Sequence, residues 1–475
     1  MRTLFMFLFS LLLVQAHSQA SDNFLSDSAI RHASFSLYVA DVITGESIFD
    51  MNSEKSLTPA SIQKLITSAV ALELLGPDYT FKTELGYTGK IRRTGTLKGD
   101  IIIKGGGDPS FASHYFPGFY NDFPEKWIKE IGNNGIRKIK GKVLTDDSYY
   151  DFQPVPSKWI WEDIGNYYGA GVYGASVYDN SYDIHFKTSG NGTKPSVTRI
   201  APPDCGFELT NNLIASGTTD RGYVFEPPYS SGGWISGSIP ENREDFVLSA
   251  SIPDPPLLIA TMIYNRLKSA EIKVTGDPST TRLEKQSTVN TFTVVSEYVS
   301  PPLSEITEVL NHESVNLYAE HLLKEMGKKF RGQGTTSAGI DIVVQYLDSI
   351  GIDTDGAFIA DGSGLSPANS INARIIVSLL MYMKQHGKYF DQYYNSLPEA
   401  GKEGTLKNFF RDNVFNGNLR AKSGSMTRVR SYAGYFTTKS GREMVFAFIT
   451  NDFPGPQKNI VSHYEKILKE IILEY

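Results

Sequence analysis

Cysteine is almost absent from this 475-residue chain: Cys205 is the only one. An intrachain disulfide is therefore impossible, and cysteine-built metal sites are excluded by count. "PPDCGFEL" reads as a loop entering a strand, so Cys205 is expected to be a buried structural thiol. Blocks of Lys and Arg are also missing, and the formal net charge is -6. Without a basic face, nucleic acid is not an expected partner. Beyond residue 20 there is no long apolar run, so stable membrane insertion is not expected. Repeats and low-complexity segments are absent. Gly-x-Ser-x-Gly does not occur, which disfavours a Ser-His-Asp hydrolase. "HESVN" (312–316) starts like a zinc-peptidase motif but ends in Asn, and His312 is expected on a helix surface. Neither a metal nor another cofactor is expected.

What is present points to a globular protein of two or three domains. Apolar residues make up 40% and charged residues 21%. The 26 tyrosines and 27 phenylalanines suit strands and binding clefts. The first twenty residues, "MRTLFMFLFSLLLVQAHSQA", combine a short basic start, an apolar run and small residues before a cleavage site. Residues 1–20 read as a secretory signal peptide.

"ASFSLYVADVITGESIFDMN" (33–52) alternates apolar and polar residues about Thr44-Gly45, which predicts a hairpin. "PASIQKLITSAVALELLG" (59–76) predicts a helix, with Leu65, Ala69, Leu72 and Leu75 at helical spacing. From about 84 to 295 the texture is mostly β, with at least one helix over 123–131; "SIPDPPLL" reads there as a turn. Helical texture returns at 300–330 and recurs in later segments. Two strands over 430–451, turning at Lys439-Ser440-Gly441, precede a last helix. The simplest organisation is one α/β domain from residues 21–83 and 296–475. Residues 84–295 form a β-rich insertion large enough for two domains.

Ser61 and Lys64 lie three apart at the start of a helix and so share a face. Alone, Ser-x-x-Lys is a helix-capping serine and a solvated lysine. It becomes chemistry when other motifs complete it: an acylated serine needs a base, a substrate hold and an oxyanion hole. Ser-x-x-Lys occurs once. Ser-x-Asn occurs four times, at Ser21, Ser189, Ser314 and Ser370, and Lys-Ser-Gly twice, at Lys422 and Lys439. Ser21 is at the mature terminus, Ser189 in a glycine-rich turn, and Ser370 suits a helix cap. Ser314 lies between helical stretches, where a loop can aim Ser314 and Asn316 into a cleft. Lys439 belongs to a hairpin turn, whereas "AKSGSM" (421–426) leads into a strand and can line a sheet edge.

The ordered set Ser61/Lys64, Ser314/Asn316 and Lys422/Ser423/Gly424 resembles the D-alanyl-D-alanine carboxypeptidase/endopeptidases, the class C low-molecular-mass penicillin-binding proteins. The resemblance extends over nearly all of the mature chain. It includes the long insertion, "GGGDPSF", "WIWEDIGNYYG" and "ADGSGLS". It implies an α/β (α+β) transpeptidase/β-lactamase-like domain, an antiparallel sheet flanked by helices, with inserted β-rich domains. It also implies an exported, periplasmic serine peptidase acting on D-Ala-D-Ala ends or cross-links of peptidoglycan stem peptides, with β-lactam antibiotics as acylating partners. Ser61 would be the nucleophile, Lys64 the base and Ser314 the proton relay. Asn316, Lys422, Ser423, Gly424 and Ser425 would bind substrate, with the backbone N–H groups of Ser61 and Ser425 as oxyanion hole. An ammonium cannot accept a proton, so Lys64 must be neutral to act; desolvation and a second cation such as Lys422 are the expected means. Asp163 and Tyr168 match residues that meet the third amino acid of the stem peptide in similar enzymes; Asp163 could equally be a turn acid. Some relatives carry Arg after Gly-Leu-Ser and Gln after the third motif. This chain has Pro367 and Thr427, which leaves that third amino acid open. Ser423 stands where Thr is commoner and keeps the hydroxyl.

Two other functions share parts of this pattern. A β-lactamase-like hydrolase would have the three motifs but not the insertion. A catalytically silent cell-wall-binding or penicillin-sensing protein need not keep Ser61, Lys64 and Lys422 together.

Overall fold

The N-terminal and C-terminal parts of the chain meet in one sheet. In the computed structural model, residues 24–475 are described except 29, 121, 206, 207 and 287. The signal-peptide reading of residues 1–20 lies outside them. Contacts divide the described residues into two units: residues 24–77, 307–315 and 340–475 belong to the first, and 78–306 and 316–339 to the second.

The first unit is built on a five-stranded antiparallel sheet, in the order Arg420–Met426, Val429–Thr437, Glu443–Asn451, Ser34–Asp41, Ser47–Met51. Both hairpins expected from the sequence are present, at the expected turns. Side chains alternate between the faces of a strand. Leu37, Val39, Tyr432, Phe446 and Phe448 face a core shared with Ile460, Tyr464, Leu468 and Ile471 of the C-terminal helix Gln457–Glu474. On the opposite face the Tyr435 hydroxyl donates to the Leu380 carbonyl, 2.8 Å away, in the helix Ala373–His386. Lys422 is paired with Ala433 and Gly424 with Ser431. These residues share the face that Tyr435 shares with Ala433, while Ser423 and Ser425 share the other with Tyr432 and Arg430.

The second unit holds four further sheets. Its five-stranded sheet runs Ser279–Thr280, Val143–Asp146, Ile101–Lys104, Lys82–Tyr87, Thr293–Val299, with Ile101, Ile102 and Ile103 buried at its centre. Among the described residues one four-stranded and two three-stranded sheets accompany it. Helices are more prominent than the sequence suggests. Pro255–Ser269 is a fifteen-residue helix whose Asp254 side chain accepts from Leu257 N at 3.2 Å. "SIPDPPLL" is thus a helix start rather than a turn, since proline is well suited to the first helical positions, where its missing N–H is not needed.

The helix Asn316–Arg331 counts with the second unit because its polar side chains are buried there. The Glu325 carboxylate accepts from the hydroxyls of Tyr79 (2.5 Å), Tyr149 (3.0 Å) and Tyr150 (2.8 Å). Tyr318 donates to Ser113 Oγ and Asp179, and Lys324 to Asp151 at 2.7 Å. Such groups are tolerated inside only when paired. Among the described residues no helix is long and apolar enough to cross a membrane.

Candidate active site

Ser61 stands on a short turn of 3-10 helix, Ala60–Gln63, that runs directly into the α-helix Lys64–Leu75. No side-chain cap starts either segment, so Ser61 does not act as a helix cap. Ala60, just before it, has φ +49. That left-handed conformation costs a non-glycine residue roughly 1 kcal/mol and persists only where the surroundings impose it. Lys64, one turn on, is fully buried. Its Nζ donates to Ser61 Oγ at 3.0 Å and to the Ser363 carbonyl at 2.7 Å.

The Ser363 carbonyl is presented by the "ADGSGLS" loop. Asp361, itself buried, ties that loop: its carboxylate accepts from Gly364 N (2.8 Å), Ser366 N (2.6 Å) and Asn369 Nδ2 (2.8 Å). Thr67 Oγ1, on the Ser61 helix, donates to the Gly362 carbonyl at 2.6 Å. Gly364 has φ +80, and a Cβ there would sit 2.0 Å from the Ala60 carbonyl. Loop and Ser61 turn are therefore in direct backbone contact. In the sequence this stretch stands only as part of a family resemblance. Its Gly-Ser-Gly composition was the available signal for a tight loop, but nothing in it pointed to Lys64.

The Arg420–Met426 strand closes another side. "AKSGSM" does not merely lead into a strand; it forms most of the edge strand of the sheet. Lys422 is fully buried, and its Nζ donates to Ser314 Oγ at 2.8 Å and to the Ser423 carbonyl at 2.9 Å. Burial is the largest cause holding its pKa well below the ordinary 10.5, followed by the charges of Lys64 and Arg430; Glu313 opposes them. Gly424 is required by space: a Cβ would lie 2.2 Å from Ser431 Oγ, 2.8 Å from the Pro59 carbonyl and 2.9 Å from Ser61 N. Ser431 Oγ donates to that Pro59 carbonyl at 2.5 Å. Ser423 is buried, and Ser425, exposed, donates to Gln457 Oε1 at 2.9 Å.

Ser314 lies between the helices Leu303–His312 and Asn316–Arg331, with φ +61. The match at Ser21 lies outside the described residues, and two of the others are placed differently. Asn372 of the 370–372 match caps the Ala373–His386 helix through Ile375 N at 2.9 Å. Lys439 is exposed in its hairpin turn. His312 Nε2 lies 3.9 Å from Glu403, and among the described residues no group of three His, Cys, Asp or Glu could hold a metal ion.

Asn316, Asp163 and Tyr168 belong to the second unit, where they form one constellation. Asn316 Nδ2 donates to the Tyr168 carbonyl at 2.8 Å. Asp163, in the short helix Trp161–Ile164, is raised to about 6, by burial first, with the Tyr168 hydroxyl opposing and Glu162 adding. Tyr168 is raised in turn, by burial first and then by the charge of Asp163.

A serine, a buried lysine at hydrogen-bonding distance, and a second lysine bound to a second serine are equipped for acyl transfer. Comparison with known proteins agrees. The model of the D-Ala-D-Ala carboxypeptidase 3 (S13) family matches residues 17–470. The chain is 28% identical over 449 residues to a D-alanyl-D-alanine carboxypeptidase of Actinomadura sp. (strain R39), covering 92% of this chain and 81% of that protein. It is 27% identical over 473 residues to the penicillin-sensitive carboxypeptidase A of Dictyostelium discoideum, covering 90% and 85%. The crystal structure of penicillin binding protein 4 (dacB) from Haemophilus influenzae has the same fold: TM-score 0.81, 21% identity, covering 96% of this chain and 99% of that one. The structure of that protein with a β-lactam gives a TM-score of 0.77 at 20% identity, covering 96% and 99%. The family match takes in nearly the whole chain, and the protein belongs to the D-Ala-D-Ala carboxypeptidase 3 (S13) family as a serine-type carboxypeptidase.

Proposed function

We propose that the protein is an exported serine peptidase that hydrolyses the bond between two D-alanines, at the ends or cross-links of peptidoglycan stem peptides, through an acyl-enzyme on Ser61. The observation that carries this reading is the 3.0 Å hydrogen bond from buried Lys64 to Ser61 Oγ. Lys64, once it has lost its proton, takes that of Ser61 as Oγ bonds to the carbonyl carbon. The negative oxygen that forms is held by the backbone N–H groups of Ser61 and Ser425; one such donor lowers a barrier by about 3–4 kcal/mol. The C–N bond then breaks, and Ser314, hydrogen-bonded to Lys422, relays the proton to the departing amine nitrogen. Water attacks the ester carbon, its proton returns to Ser61 Oγ, and the shortened peptide leaves.

Lys422, with the hydroxyls of Ser423 and Ser425, receives the substrate's terminal carboxylate. Gly424 allows the edge strand to lie close to Ser61, so that the peptide can add as a further strand. Asn316 holds the peptide backbone, and Asp163 with Tyr168 meets an amine on the third amino acid. Export rests on the first twenty residues.

Penicillin acylation follows from the same chemistry, and two relatives bear on it: one is named penicillin-sensitive and one is known with a β-lactam. The test is to incubate the mature protein with a fluorescent penicillin and weigh it, beside Ser61→Ala. A stable adduct on the wild type alone is expected. Rapid destruction of penicillin without a lasting adduct would move the reading to a β-lactamase-like hydrolase. No adduct with penicillin intact would move it to a silent wall-binding protein.

A further inference from the structure

Besides Lys64 and Lys422, a further buried cation, Arg430, lies behind the edge strand, and the proposed mechanism gives it no task. Ser425 and Arg430 are directly opposite each other on adjacent antiparallel strands, so both side chains leave the sheet on one face. Arg430 is only 6% exposed. Its guanidinium carbon lies 4.7 Å from the Phe409 ring centre and 4.5 Å from that of Tyr432. It donates to the Tyr432 hydroxyl and, at 3.4 Å, to Gln457 Oε1. Among the described residues no carboxylate is paired with it, and its Nε has no hydrogen-bond partner. A buried, unpaired guanidinium is costly to keep, and an anion brought near it recovers part of that cost.

Gln457 connects this cation to the substrate side of the strand. Its Nε2 donates to the Met426 carbonyl at 3.1 Å, which fixes the amide. Its Oε1 then accepts from both Ser425 Oγ, at 2.9 Å, and Arg430 Nη1. A serine hydroxyl has one proton to give. In this arrangement Ser425 gives it to Gln457, so a carboxylate arriving at Ser425 meets lone pairs unless the hydroxyl turns.

We propose that Arg430 and Gln457 are positioning residues for recognition of the substrate's terminal carboxylate. When the carboxylate docks, the Ser425 hydroxyl rotates from Gln457 Oε1 to the carboxylate. Gln457 Oε1 keeps the Arg430 N–H, so no acceptor is stranded by the exchange. Arg430 also adds its unpaired charge to that of Lys422 in the field the carboxylate enters. No covalent bond changes; one O–H reorients. The inference rests on the peptidase reading, with the Lys422–Ser425 strand as its carboxylate end.

The test uses two thiolester substrates with the same acyl group, one leaving with a free α-carboxylate and one with that carboxylate as its methyl ester. For each, kcat and KM are measured on the full mature chain as wild type, Arg430→Met, Arg430→Lys and Gln457→Leu. The wild type should prefer the free carboxylate. Arg430→Met should cut the ratio of kcat/KM between the two substrates about tenfold, mostly through KM, because a charge-assisted contribution is lost. Arg430→Lys should restore part of the ratio, and Gln457→Leu should lower it as well. An equal loss on both substrates, or an unchanged ratio in both Arg430→Met and Gln457→Leu, would overturn the proposal. Should Arg430→Met fail to fold by circular dichroism, Gln457→Leu, half-exposed at a helix start, decides alone. A wild type acylated on Ser61 without preference for the free carboxylate overturns this proposal and leaves the peptidase standing. A wild type that is not acylated at all overturns both.

Discussion

Gly424 stands against the backbone amide of Ser61: a methyl group on Gly424 would come within 2.9 Å of that nitrogen and 2.8 Å of the Pro59 carbonyl. Backbone atoms cannot step aside as the end of a long side chain can. Gly424→Ala should therefore push the edge strand away from the Ser61 turn. Misplacement by about 1 Å can cost on the order of a hundredfold in rate, so Ser61 acylation by penicillin should slow by at least tenfold. The thermal midpoint should fall by only a few degrees. Adding Ser431→Ala removes the 2.2 Å contact but leaves both backbone contacts, and should not restore the rate. Stopped-flow acylation of the single and double variants checks this; a double variant at wild-type speed would sink it.

Lys422 should set an early alkaline limit. Burial, then the charges of Lys64 and Arg430, hold its pKa well below 10.5. On the proposed mechanism the charged form receives the carboxylate, so kcat/KM for a substrate with a free carboxylate should fall, as pH rises, earlier than an ordinary lysine would dictate. Glu313 opposes this lowering. Glu313→Gln should thus move the alkaline limb to still lower pH. A pH profile of kcat/KM for both proteins is the measurement. A shift to higher pH in the variant would contradict the assignment.

Asp361 gathers three donors: Gly364 N, Ser366 N and Asn369 Nδ2. Asp361→Ala leaves them inside the protein without that acceptor. At roughly 1 kcal/mol or more for each, the variant should lose about 3 kcal/mol of stability. It should also free the loop whose Ser363 carbonyl fixes Lys64, and so slow acylation about tenfold. Denaturant unfolding and penicillin acylation below the transition check the two effects. A destabilised variant with unchanged acylation would show that the loop does not position Lys64.

Asp163 should make recognition of an amine-bearing peptide depend on pH in the weakly acidic range. Its pKa is raised to about 6, so the carboxylate is charged above that value and neutral below it. Preference for a stem-peptide analogue with a free side-chain ammonium over its acetylated form should rise between roughly pH 5 and pH 7. In Asp163→Asn the preference should be flat. Competition assays with the two analogues decide it; a rising preference that survives in Asp163→Asn would point to another residue.

The candidate site is visible in the sequence as a set of motifs, and its geometry is partly hidden there. Ser61 and Lys64 are three residues apart, so helical periodicity alone places one beside the other. The Ser314–Lys422 contact spans 108 residues and came into view only through the order of the motifs. The hairpins at Thr44-Gly45 and Lys439-Ser440-Gly441 follow from alternation and turn residues, which are local. The helix at Pro255 was missed because proline marks both turns and helix starts, and the deciding Asp254 cap depends on backbone geometry. Asp361 lies in a stretch that stood out only by resemblance, and Ser431 and Gln457 carried no signal, since each acts by meeting a segment distant in sequence. Arg430 was hidden in a strand pattern that gives no hint of a charge facing inward.

Cys205 is 1% exposed, and burial first, with Asp204 and Glu226 adding, pushes its thiol up to about 12. At neutral pH almost none of it is thiolate, the form that reacts. The lone cysteine is therefore a silent internal clock. A thiol-trapping reagent in the surrounding buffer will mark the chain only when this part of the second unit opens. Its rate of labelling measures that opening directly, in the unmodified protein and without any introduced probe.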